Sequence, residues 1–168
     1  MSKDPITRYT SYVKSYPYDT NGWDGKVTVC FSHAHVGWIR LWISGTSYLQ
    51  HITLSLSAVF DPFPSLVKWL EAIAANQLPA ELEIDEEGQV KRLTVMPLED
   101  DQVDFIIREG FVEEGEIYFR LRVDRKQLVS EFAKKLELML NEYFEIEEWE
   151  HGSDLTALDL SRIKAMIR

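Results

Sequence analysis

The segment DPFPSLVKWLEAIAANQ, residues 61 to 77, constrains the fold more than any other stretch, because it reads as one amphipathic helix between two runs of strand-like sequence. Asp61 can cap the first turn, and Pro62 and Pro64 fall where backbone N–H groups have no intrahelical partner. Phe63, Leu66, Val67, Leu70, Ile73 and Ala74 then recur at helical spacing and predict one apolar face. That face needs a sheet to cover, and residues 26 to 60 and 80 to 123 offer one.

Before the helix, Val27, Val29 and Phe31 alternate with Thr28, Cys30 and Ser32 from Lys26 to His33, as a half-buried strand should. Gly37 marks a turn. Trp38 to Ser44 then places Ile39, Leu41 and Ile43 opposite Trp38, Arg40 and Trp42. A third strand is expected over Tyr48 to Phe60, with Thr53, Ser55 and Ser57 as a solvated hydroxyl face. After the helix, Leu82 and Ile84 alternate with acids. Glu87-Gly88 is a turn signal before Val90 to Met96, so these residues predict a hairpin. Two more strands are centred on Val103, Phe105 and Ile107, and on Ile117, Phe119, Leu121 and Val123, with Arg120 and Arg122 expected to face out.

Asp124 with Gln127 has the spacing of a capping box and opens a second helix to about Phe144, striped by Leu128, Val129, Phe132, Leu136, Met139, Leu140 and Tyr143. The expected fold is a single α+β domain over residues 1–168, with about seven strands in antiparallel meanders and two main helices on one face. Within it, residues 1–25 form an aromatic arm, 26–77 and 80–144 each give strands and a helix, and 145–168 form a tail with a short helix near Leu160, Ile163 and Ile167.

The chain's 168 residues suffice to bury a core without disulfides or metal. One cysteine, Cys30, and a polar start without a signal-peptide core give the expectation of a cytoplasmic protein, and no run is long and apolar enough for a membrane span. The formal charge of −10 is concentrated, since Glu81 to Glu116 holds 13 acidic residues against Lys91, Arg92 and Arg108. Such a segment repels a phosphate backbone and argues against nucleic acid as a partner. It would steer a protein with a basic surface.

Among candidate sites, Trp38, Arg40 and Trp42 stand out, because two indoles flanking a guanidinium on one strand face can stack a ligand or anchor a partner. The arm, with Tyr9, Tyr12, Tyr16 and Tyr18, is the expected cover for that face. His33 and His35 would aim to one side if carried on a strand, and with His51 they make a conceivable metal set. Cys30, mid-strand, reads as a small buried residue rather than a nucleophile. The carboxylates of Asp85-Glu86-Glu87, Glu99-Asp100-Asp101 and Glu113-Glu114 read as solvated turns. No residue is assigned a catalytic role and no cofactor is called for. The resulting expectation is a non-catalytic protein-interaction or regulatory domain, with a homodimer left open. The alternative is a small-ligand-binding or metal-dependent enzyme built around His33, His35 and His51.

Overall fold

In the computed structural model, residues 25–46, 51–150 and 152–168 are described. Among them seven antiparallel strands form two sheets. β1 (Thr28–Phe31), β2 (Trp38–Ser44) and β3 (His51–Ser57) make a three-stranded meander. β4 (Ala80–Asp85), β5 (Val90–Pro97), β6 (Gln102–Glu109) and β7 (Ile117–Asp124) make a four-stranded one. Helix α1 (Phe63–Ala74) joins the sheets, α2 (Arg125–Glu142) follows β7, and the short α3 (Ser161–Met166) lies near the C-terminus. The α+β architecture and the single body agree with the sequence reading.

Two hairpins are written by their turns. Val36 and Gly37 (φ 48 and 79), and Glu87 and Gly88 (φ 59 and 114), are paired positive-φ residues, the combination whose twist matches that of the flanking strands. One residue more lies on the β1 side than on the β2 side between the Ser32–Arg40 bonds and the His35–Trp38 bridge, so the register slips there.

The inner faces of both sheets and the stripes of α1 and α2 merge into one core. α1 buries all six predicted residues, and also Trp69, which packs edge-on against Phe132 with ring centroids 5.5 Å apart. The N-cap position is Pro62, and Asp61 just before it accepts the Phe63 N–H at 2.9 Å, which satisfies one donor of the first turn. The helix is shorter than residues 61 to 77. Asn76 takes φ 57, and the N–H groups of Asn76 and Gln77 fold back onto the carbonyls of Ile73 and Ala72, a Schellman closure.

α2 begins where Asp124 accepts the Gln127 N–H at 2.9 Å, but the capping box is only half formed. The Gln127 side chain instead meets the edge of β1, accepting the Val27 N–H and donating to the Val27 carbonyl, both at 3.0 Å. Glu131 accepts the Val29 N–H at 3.1 Å, Lys135 donates to the Val29 carbonyl at 3.1 Å, and the Tyr143 hydroxyl donates to the Phe31 carbonyl at 2.7 Å. Four helix residues rise about 6 Å and two strand residues about 6.7 Å, so a helix beside a strand can meet each outward-pointing backbone pair in turn. Side chains of α2 thereby supply the hydrogen bonds a fourth strand would have made.

Several expectations are corrected. The third strand ends at Ser57 rather than Phe60, with Ser57 accepting the Val59 N–H; it is described from His51, and Tyr48, Leu49 and Gln50 lie outside the described residues. Ser57 is buried rather than solvated, because its hydroxyl donates to Glu87. Arg120 does not face out. It is 1% exposed and forks onto Asp104 across the β6–β7 pair, which neutralises both charges within the sheet's second face. Cys30 is exposed, not buried, because β1 turns its even-numbered residues outward. Trp149, in a 3-10 turn over Ile146–Trp149 that reads only as part of an acidic run, is buried against Phe63. The aromatic arm lies outside the described residues except for Gly25, and so does its expected packing on Trp38 and Trp42.

Candidate functional site

The outer face of the three-stranded sheet is a grid set by strand register. Cys30, Trp42 and Thr53 form one row, and Arg40 and Ser55 the next, with Ser32 bonded beside Arg40. Trp38 pairs with Ser57 in the row beyond. Alternation alone puts Trp38, Arg40 and Trp42 on this face, since Ile39, Leu41 and Ile43 are each fully buried on the other. Trp38 is half-buried, while Arg40 is exposed and Trp42 is 40% exposed.

These three side chains floor a groove of about 800 Å3. One wall is the loop carrying Ser32, His33, His35 and Val36, and the other is Glu86 and Gln89 at the β4–β5 turn. Glu86 is held there because its Oε1 accepts the Ser55 N–H on the edge of β3 at 2.7 Å and its Oε2 takes Lys91 Nζ at 2.8 Å. The hairpin of the second sheet thus borders the face of the first. The Arg40 guanidinium has no hydrogen bond or ion pair among the described residues.

His33 and His35 lie in the loop after β1 rather than on a strand, and both line the groove. The His33 ring packs against Tyr143 at 4.7 Å, and His35 Nδ1 lies 3.3 Å from a Glu148 carboxylate oxygen. His51 pairs with Ser44 at the opposite end of β2 from Trp38. Among the described residues no three His, Cys, Asp or Glu side chains are grouped so as to hold a metal ion. Burial, and then the charge of nearby Cys30, push the Tyr143 phenol above its ordinary pKa.

A second feature, not legible in the pattern of the strands, is the β6–β7 turn. Phe111 and Val112 are 67% and 56% exposed at its tip. The Glu109 carboxylate fixes their backbone, accepting the Phe111 N–H at 2.7 Å and the Val112 N–H at 3.2 Å. A Cβ at Gly115 would come within 2.3 Å of the Glu109 carbonyl, so the turn can close this tightly only with glycine there. Glu113 and Glu116 are exposed beside it. No protein-family model, no curated protein and no solved structure matches this chain.

Proposed function

We propose that the protein is a non-catalytic protein-interaction domain whose contact site is the groove floored by Trp38, Arg40 and Trp42. The observation that carries this reading is Arg40, an exposed guanidinium without a partner among the described residues, set between two indoles on an open sheet face. Tryptophan and arginine are the residue types that dominate binding energy when a partner covers them. Exposed aromatic surface of this kind is otherwise a liability.

The test is a photo-crosslinking amino acid at position 42, with position 68, on the outer side of α1, as control. A discrete adduct formed from position 42, lost on Arg40→Ala and absent from position 68, supports the reading once the adduct protein is purified and titrated. Trp42→Ala should then weaken that complex by about 2 kcal/mol or more. Equal labelling from both positions would sink it.

The acidic end of the second sheet supports a further element of the same reading, a partner whose surface is basic around an apolar pocket that receives Phe111 and Val112. Association should then slow steeply with added salt while dissociation changes little. An on-rate indifferent to ionic strength would remove the acidic end from binding.

A further inference from the structure

Among the described residues, of the oppositely charged groups that line the groove, Glu86 is engaged and Arg40 is not. Both oxygens of Glu86, the carboxylate that lines it, are engaged, one by the Ser55 N–H and one by Lys91 Nζ. Ser32 Oγ is engaged as well, donating to the His33 carbonyl and accepting the Arg40 backbone N–H, each at 2.8 Å. The guanidinium of Arg40 is left over as a charge without a counter-charge among the described residues.

We infer that the groove takes an extended segment of a partner protein that carries one carboxylate, with an aromatic side chain two residues to either side. This rests on the interaction reading above and adds the chemistry of the occupant. A guanidinium offers a fork of N–H donors that matches a carboxylate with two parallel bonds. Trp38, Arg40 and Trp42 repeat every second residue along β2, at steps of about 6.7 Å, and an extended peptide repeats its own same-side side chains at the same step. A carboxylate over Arg40 therefore brings the residues two before and two after it over the indoles, where aromatic rings stack. One carboxylate is favoured over an acidic run. The chain's net charge of −10 opposes an approaching polyanion, whereas a single acid flanked by rings pays little for that field.

Three capped pentapeptides, FSESF, FSQSF and FSKSF, titrated into the full-length protein test the inference. The indole N–H signals of Trp38 and Trp42, assigned with Trp38→Phe and Trp42→Phe, report binding. FSESF should shift both signals saturably and bind about fivefold or more tightly than FSQSF, as expected for a charge-assisted pair in a partly open site. Arg40→Gln should abolish that preference while leaving the rest of the spectrum in place. Equal affinity for FSESF and FSQSF, or a preference for FSKSF, would overturn the carboxylate and leave the groove as a docking face. No shift with any peptide would overturn both the inference and the groove's place in the proposed function.

Discussion

Arg125 joins three elements, and its removal should be felt well beyond one ion pair. Its Nη1 donates to the carbonyls of Ile73 and Ala74 at 3.0 and 2.7 Å, and its Nε and Nη2 meet the Asp101 carboxylate at 2.6 and 3.1 Å. The last carbonyls of a helix lack the usual i+4 donor; Ile73 already accepts the Asn76 N–H, and the guanidinium adds to that closure of α1 from the start of α2. A hydrogen bond to a charged group contributes about 1.5 to 3 kcal/mol, and carbonyls at a helix end recover part of that from water. Arg125→Ala should therefore cost about 3 kcal/mol, lowering the melting temperature by about 2 to 4 °C per kcal/mol in a chain of this size. The Asp101 side chain is 42% exposed, so solvent screens its part of the pair, and Asp101→Asn should cost about 1 kcal/mol. Asparagine also tolerates the positive φ of 58 at that position, which keeps backbone strain out of the comparison. Arg125→Lys should fall between, because an ammonium cannot span carbonyls and carboxylate together. Urea unfolding followed by circular dichroism, with m unchanged, gives the values. If Asp101→Asn costs as much as Arg125→Ala, the ion pair rather than the helix end carries the energy and the reasoning is wrong.

Leu70→Ala should destabilise by about 2 to 5 kcal/mol through the cavity it opens under α1, whereas Lys68→Ala on the exposed side should stay within ~0.5 kcal/mol; equal losses in urea would misplace the helix face. Glu131→Ala should cost about 1 to 2 kcal/mol by stranding the Val29 N–H, and should raise the exchange rate of that amide above those of its β1 neighbours. The raised Tyr143 pKa has a definite sign. The folded value exceeds the unfolded one near 10.0, so its contribution to stability is full below that pH and is lost as pH rises through the folded value. Tyr143→Phe should flatten the alkaline limb of the stability curve, and an unchanged limb would show that another group controls it.

Where burial followed a simple period, the sequence was enough. The six-residue stripe of α1 and the alternation of β2 each predict which side chains enter the core, because period 3.6 and period 2 leave no other face for them. Arg120 was misread for the same reason. Alternation correctly places it opposite Phe119 and Leu121, but period alone cannot say that the second face is also buried, nor that Asp104 stands beside it to make burial tolerable. Gln127 fits a capping box in sequence, and only the position of β1, a hundred residues earlier, diverts its amide to Val27. The candidate site was half legible. Trp38, Arg40 and Trp42 share a face by spacing, whereas the Glu86 wall comes from the other sheet, and the loop that carries His33 and His35 to the groove contains a register slip that no local pattern announces.

The way the three-stranded sheet is closed bears on how it could meet a partner. A sheet offers two routes to recognition, its edges, by adding a strand, and its face, by side-chain contact. The edge of β1 is occupied, since Gln127, Glu131, Lys135 and Tyr143 bond the outward backbone groups of Val27, Val29 and Phe31. On the edge of β3 the Ser55 N–H is bonded by Glu86, and Glu87 holds the Ser57 hydroxyl beside it. At these positions an incoming strand would have to displace bonds already made, several of them to charged groups. The outer face demands no such displacement, because Arg40 and Trp42 stand on it exposed and the guanidinium has no described partner to lose. A ligand that forms new bonds there without breaking old ones has the smaller cost to overcome, which favours side-chain recognition on the face over strand addition at the edge.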